Sequence, residues 1–184
     1  MTELAGDGFR LRRATADDVD FMVELAAHAD VEPFMAAMSA RDREEILAEV
    51  RRSEEEPNAH GRFVLEVDGE RAGALAFEVA SRRSGIADLR GLMLHPDFRG
   101  RGLADAAARV LVRHLVFDLG YHRVQLECYG FNDRAIRHAE RSGFVKEGVK
   151  RKAYRRHGEW VDGVIFGLVR EDLEAHSPDS PTSA

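Results

Sequence analysis

The chain has a single cysteine, Cys128, so no internal disulfide can form and a disulfide-stapled secreted scaffold is excluded. It shows no signal-like apolar leader and no apolar run long enough to span a bilayer, so a cytoplasmic protein without membrane attachment is expected. Basic charge is in deficit: 27 Lys and Arg stand against 33 Asp and Glu, a net charge of −6, which argues against nucleic acid as the main partner. The eight histidines are scattered with no ligand spacing such as HExxH, and no metal is expected. Internal repeats are absent, and no acidic block stands out. What remains is ordinary for a globular domain. The 184 residues are 44% hydrophobic and 33% charged, which suits one domain with a sizeable core.

Residues 1–8 are small and polar and are expected to be loose; the domain proper is read as 9–172, with a disordered tail at 173–184 that ends SPDSPTSA. Phe9 to Arg13 alternates as a half-buried strand does. Thr15 and Asp18 open a helix with Val19, Met22, Val23 and Ala26 on one face. Ser39 and Asp42 open a second, striped by Ile46, Leu47 and Val50. Strands are expected over Arg62–Val67 and Ala72–Val79, joined at Asp68-Gly69, and over Ile86–His95. A helix follows from Leu103 to Leu119, closed by Gly120; then come a strand at Arg123–Tyr129 and a helix at Asn132–Ser142. Phe144–Tyr154 and Trp160–Val169 form a last hairpin. The helix between the 86–95 and 123–129 strands makes those two parallel, so the chain is a mixed α/β domain.

The informative stretch is Asp88–Ala108, DLRGLMLHPDFRGRGLADAAA. It reads as a strand, a proline stop, a glycine turn and a helix start. Glycines let backbone approach a ligand, and a helix start offers unpaired amides and a positive dipole end, together a phosphate site. The P-loop GxxxxGK[ST] is absent, and Asp105 stands where the dinucleotide pattern GxGxxG needs glycine. Arg99, Gly102 and Ala104 match [Q/R]xxGx[G/A], which resembles the coenzyme A pyrophosphate loop of the GNAT superfamily of N-acetyltransferases. Downstream, LECYGFNDRAIRHAERSGF (Leu126–Phe144) resembles the second signature of that superfamily through Glu127, Asn132, Ala135, Ile136, Glu140, Gly143 and Phe144. Glu147-Gly148 and Gly158–Asp162 are similar to the branch that acetylates ribosomal-protein N-termini and to polyamine acetyltransferases. The resemblance runs over residues 9–170.

It implies a GNAT-like fold: a central splayed mixed sheet of about six to seven strands flanked by four helices. It implies an acetyl-CoA-dependent N-acetyltransferase with no metal, acting on a primary amine: a protein N-terminus, a polyamine or another small amine. A homodimer is common in the resembled branch. Coenzyme A would lie along Leu92, Met93 and Leu94, with the Leu94 N–H as oxyanion donor. Its pyrophosphate would be held by Arg99, Gly100, Arg101, Gly102, Leu103 and Ala104, with further contacts from Asn132 and Arg134. Asn132 can also cap its helix. Glu127 is the candidate general base, tuned by burial beside the coenzyme; Glu78 is its rival, acting through water. The superfamily's acidic tyrosine falls at Ala139, so the acid passes to Tyr129, His138, Tyr154 or water. His138 points about 100° away from Ala139 on a helix.

The acceptor groove is expected between residues 16–55 and the late hairpin, with Glu24, Asp30 and Glu32 available to a cation. Cys128 reads as a small buried hydrophobe. Lys150, Arg151, Lys152, Arg155 and Arg156 read as a solvated hairpin or a contact for the coenzyme 3′-phosphate. Ala139 also leaves open a coenzyme-binding module without transferase activity. A weaker alternative is a nucleotide-binding protein that holds ATP at the glycine turn.

Overall fold

The computed structural model describes residues 3–35 and 42–175. Eight strands form one sheet: β1 (Glu3–Gly6), β2 (Phe9–Arg13), β3 (His60–Val67), β4 (Glu70–Ser81), β5 (Ile86–Leu94), β6 (Arg123–Tyr129), β7 (Val145–Arg156) and β8 (Glu159–Val169). Their order is β1-β2-β3-β4-β5-β6-β8-β7, antiparallel throughout except for the parallel β5–β6 pair. The helices are α1 (Val19–Ala27), α2 (Arg43–Glu55), α3 (Leu103–Arg113), α4 (Asp133–Arg141) and α5 (Arg170–Ala175). This is a mixed α/β architecture, as expected, with eight strands and five helices where the sequence reading expects six or seven and four.

Two of the additions fall at the ends. Residues 3–6 are not loose: they pair with Phe9–Arg13, Glu3 opposite Arg12. The strand is too short for alternation to reveal it, and the hairpin supplies the ladder. Residues 170–175 form α5 across the expected domain end, with the Val169 N–H bonded to Asp172 Oδ2 at 3.0 Å; residues 176–184 lie outside the described residues. Ser39, the expected opener of α2, also lies outside them. Asp42 caps that helix, accepting from the Glu44 N–H at 2.9 Å. A 3₁₀ turn, Ala16–Asp18, precedes α1, and α3 widens into a π turn at His114–Asp118.

Alternation along the strands sends side chains to two separate cores. On one face Phe63, Leu65, Leu75, Phe77 and Val124 pack under α3, with Leu111 and Leu115 fully buried. On the other, Val64, Ala74 and Met93 pack under α1 and α2 against Val19, Met22, Ile46 and Val50. At the start of α1, the fully buried Asp18 receives Arg12 at 2.7 and 2.9 Å, Arg71 at 2.9 Å and the Thr15 N–H at 2.8 Å. Burial alone would raise its pKa, but those donors outweigh burial and hold the carboxyl at about 2. Among the described residues no helix is long and apolar enough to cross a membrane.

Candidate active site

The parallel pair that organises the sheet is paired along only part of its length. β5 and β6 are in register at Ile86–Arg123, Ala87–Val124 and Asp88–Gln125, and there the ladder stops. Beyond it β5 stays with β4 as far as Gly73–Leu94, while β6 stays with β8 as far as Tyr129–Gly163. The sheet therefore forks. At the fork β5 carries one extra residue relative to β4, between Leu94–Gly73 and Arg90–Ala76, and Gly91 has φ +57°. A bulge of this kind bends the strand and changes which face its residues present. Asp88 and Arg90 lie on the face of α1 and α2; past the bulge it is Met93 that does so, while Leu92 and Leu94 pack against the opposite core.

The fork opens a cleft of about 1000 Å³. Leu92, Met93 and Leu94 form one wall, and Gln125 to Tyr129 the other. The His95 N–H donates to Ala72 O at 2.8 Å. Successive amides alternate across a strand, so the Leu94 N–H points the other way, into the gap. At the end of the β5 wall sits the glycine turn. Gly100 and Gly102 adopt φ +79° and +71°, and a Cβ on either would meet nothing within 4 Å, so the space over the turn is open. Among the described residues no acceptor takes the N–H of Gly100, Arg101, Gly102, Leu103 or Ala104. These amides sit at the N-terminus of the eleven-residue α3.

The side chains around the turn divide. Arg99 and Arg134 both donate to the Asp30 carbonyl, at 3.3 and 3.4 Å, bringing two guanidinium groups together at the mouth. Burial and the neighbouring Arg134 lower the Arg99 pKa. Arg101 lies over the ring of Phe98, 5.6 Å from its centroid, and does not line the cleft. Asn132 Oδ1 accepts the Ala135 N–H at 3.1 Å, so the side chain caps α4 while lining the cleft. The carboxylates of Asp30 and Glu32 engage arginines rather than standing free: Asp30 pairs with Arg99 at 3.6 Å and Glu32 with Arg156 at 3.7 Å.

On the far wall Glu127 faces the layer of α1 and α2. Lys150 Nζ donates to its Oε2 at 2.6 Å and the Tyr154 hydroxyl to its Oε1 at 2.7 Å. Both donors come from β7, four residues apart, where an ordinary strand would hold them too far apart to share one carboxylate. A bulge removes that distance. Lys150 pairs with Gly163 and Tyr154 with Val161, so β7 spends four residues where β8 spends two. Lys152, inside the bulge, has φ +50°, and its N–H donates to Asp162 Oδ1 at 2.7 Å. Gly163 completes the arrangement: a Cβ there would overlap Glu127 Oε1 and lie 2.7 Å from Tyr154 Cε2. The hydrogen bond to Glu127 raises the pKa of both Lys150 and Tyr154. Glu127 is thus a carboxylate one-quarter exposed and held by a lysine and a phenol.

Glu78, Tyr129 and Cys128 also line the cleft. Glu78 forms an ion pair with Arg90. Tyr129 stacks on Phe131 with centroids 5.3 Å apart, and Arg156 lies over its ring at 5.5 Å. Ala139 is fully buried in the core and does not line the cleft. Ala135 and His138, three residues apart on α4, do line it. Cys128 is half-buried, and burial with the nearby Glu127 pushes its thiol up to about 11, the setting of an inert residue. Sequence reasoning singled out neither Gly91 nor Gly163, and it named Lys152 and Asp162 without the bulge that joins them. The signal for the two glycines was a glycine interrupting a strand pattern.

The acetyltransferase (GNAT) domain family matches residues 9–145. The chain belongs to the GNAT family. A curated relative, the SPbeta prophage-derived uncharacterized N-acetyltransferase YokL of Bacillus subtilis, is 32% identical over 114 residues, covering 61% of this chain and 64% of that protein. The L-amino acid N-acetyltransferase AaaT of Escherichia coli is 31% identical over 106 residues, covering 56% of this chain and 65% of its own. In both cases the GNAT chain spans just under two thirds of the relative it matches. A solved structure of the ribosomal-protein-S5-alanine acetyltransferase from Vibrio fischeri superposes with a TM-score of 0.80 at 16% identity, over 94% of this chain and 98% of that one, a likeness of fold.

Proposed function

We propose that this protein is an acetyl-CoA-dependent N-acetyltransferase that moves an acetyl group to a primary amine by direct attack in a ternary complex. The observation that carries the reading is the β5–β6 ladder ending at Asp88–Gln125 beside a glycine turn whose amides have no acceptor among the described residues. A pantetheine arm fits as an added strand along Leu92–Leu94, and a pyrophosphate fits the turn from Arg99 to Ala104, with Arg99 and Arg134 supplying positive charge at the mouth. When bound, acetyl-CoA supplies an activated acyl thioester. The Leu94 N–H donates to the thioester oxygen as it gains negative charge. Glu127 takes the proton of the attacking amine: each carboxylate oxygen has two acceptor sites, so both can receive a further donor while Lys150 and Tyr154 stay bonded. Asn132 holds the start of α4 against the cleft and can bond the pantetheine arm. Tyr129 keeps the β6 wall in place through its ring stack and lines the cleft as a candidate proton donor.

The relatives act on different amines. Similar proteins include an L-amino acid N-acetyltransferase, a putatively ribosomal enzyme and spermidine N(1)-acetyltransferases, so the acceptor is taken here as a primary amine of the peptide, amino-acid or polyamine type. The test is release of free thiol from acetyl-CoA across a panel of such amines, with coenzyme binding measured in parallel. Turnover with at least one amine is expected. Glu127→Gln should cut kcat by about 10²-fold or more while coenzyme affinity holds. Coenzyme binding with no turnover on any amine would leave a binding module, and no coenzyme binding would end the reading.

A further inference from the structure

One carboxylate in the cleft stands without a counterion. Asp88 is the last β5 residue in the β5–β6 ladder, opposite Gln125, and it lines the cleft where the two strands part. The cations on that side are committed in pairs: Arg90 to Glu78, Arg62 to Glu49 and Lys150 to Glu127. Among the described residues none donates a hydrogen bond to the Asp88 side chain or lies within ion-pair distance of it. Asp88 and Glu127 face the same space. Ala87 and Leu89 on β5, like Leu126 and Cys128 on β6, pack into the α3 core, so alternation turns Asp88 and Glu127 to the opposite face. Glu127 stands two residues beyond Gln125, so strand geometry puts the Cα atoms of Asp88 and Glu127 about 8 Å apart. The Lys150 pKa is raised first by its bond to Glu127 and last by the charge of Asp88, so one ammonium lies in the field of both carboxylates. Together the three side chains carry two negative charges and one positive.

We propose that the acceptor is a linear diamine or polyamine whose distal ammonium is bound by Asp88 while its reactive nitrogen meets Glu127. This rests on the acetyltransferase reading with Glu127 as base, and it adds the class of acceptor and the residue that selects it. The surplus beside the base is a single negative charge, and one further cationic nitrogen on the acceptor cancels it. Nitrogens about 6 Å apart, as in a four-carbon diamine, fit between carboxylates whose Cα atoms are about 8 Å apart. An α-amino acid fits worse, because its own carboxylate sits beside the reactive nitrogen and would face both Asp88 and Glu127. A monoamine of the same length leaves Asp88 without a partner. Asp88 is thus a specificity residue: it holds the far end of the acceptor and does not touch the reacting atoms.

The test uses the full chain with acetyl-CoA and reads thiol release with three acceptors. These are putrescine, butylamine, which has the same carbon chain and one nitrogen, and leucine. In the wild type kcat/KM for putrescine should exceed that for butylamine by about 30-fold or more, the size expected of one charge-assisted bond, and that for leucine by at least as much. Most of the gap should lie in KM, since the distal contact is made equally before and during the reaction. Asp88→Asn should bring the putrescine-to-butylamine ratio to within about threefold, and Asp88→Glu should keep most of it. A wild type that uses butylamine or leucine as well as putrescine overturns the assignment and leaves acetyl transfer standing. An Asp88→Asn that slows both amines equally does the same, because Asp88 would then serve the chemistry or the fold and not the choice of acceptor. If coenzyme A binds and no amine releases thiol, the assignment and the acetyltransferase reading fall together.

Discussion

The Glu127 carboxylate occupies the space that a side chain at Gly163 would fill. The two residues sit on paired strands, and a Cβ on Gly163 would overlap Glu127 Oε1. Because β6 and β8 are in register along the whole of β6, backbone movement cannot readily open that space. Gly163→Ala should therefore swing the carboxylate away from Tyr154. Turnover is expected to fall on the order of 10²-fold, with coenzyme affinity unchanged and the melting temperature nearly so, since the site is half-solvated. Steady-state kinetics beside coenzyme titration checks it. Full activity in the variant would remove Glu127 from the mechanism.

The β7 bulge should couple stability and activity in opposite directions. Lys152 holds φ +50° with its N–H on Asp162 Oδ1, a conformation glycine adopts without Cβ strain. Lys152→Gly is expected to be neutral or to stabilise by about 1 kcal/mol, with activity kept. Asp162→Ala removes the acceptor, loosens the bulge and separates Lys150 from Tyr154, so kcat should drop about tenfold or more with little change in coenzyme affinity. Chemical denaturation and kinetics on the two variants separate these outcomes. Equal losses of stability in both would refute the scheme.

Acid should weaken the fold through the buried Asp18. Its folded pKa is depressed from 3.8 to about 2, a contribution of about 2 kcal/mol. A depressed carboxyl stabilises the fold above its unfolded pKa and loses that contribution as pH falls through its folded one. The loss is thus expected between about pH 4 and pH 2. Asp18→Asn leaves Arg12 and Arg71 without their shared anion and should cost about 3 kcal/mol at neutral pH, with a flatter acid limb. Denaturant midpoints measured against pH decide it.

Cys128 should resist modification. With a thiol at about 11, its thiolate is scarce at neutral pH, and alkylation should run about a hundredfold slower than for an ordinary cysteine. Because Cys128 lines the cleft, coenzyme A should slow it further. The nearby charge of Glu127 contributes to the raised value, so Glu127→Gln should speed the reaction modestly. A fast, unprotected reaction would place the cysteine outside the cleft.

Local chemistry was enough to read much of this fold. Pro96, the Gly100 and Gly102 pair and the apolar run before them mark a strand, a turn and a helix start, because each acts on its own backbone or on its immediate neighbours. The same holds for Asn132 as a cap and for the alternation along Arg123–Tyr129. These features mark the strands, the parallel pair and the glycine turn without any tertiary contact. What they could not specify was distance between segments far apart in the chain. The fork at Asp88–Gln125 depends on which neighbour each strand follows. The grip on Glu127 depends on a bulge in β7 and a gap in β8, more than twenty residues downstream. His138 meets Asp105 only because α4 packs beside α3. Sequence by itself determined which groups the protein carries and the local conformations that hold them. Tertiary structure alone decided which of those groups meet, since pairing register and strand curvature arise from the packing of the whole sheet.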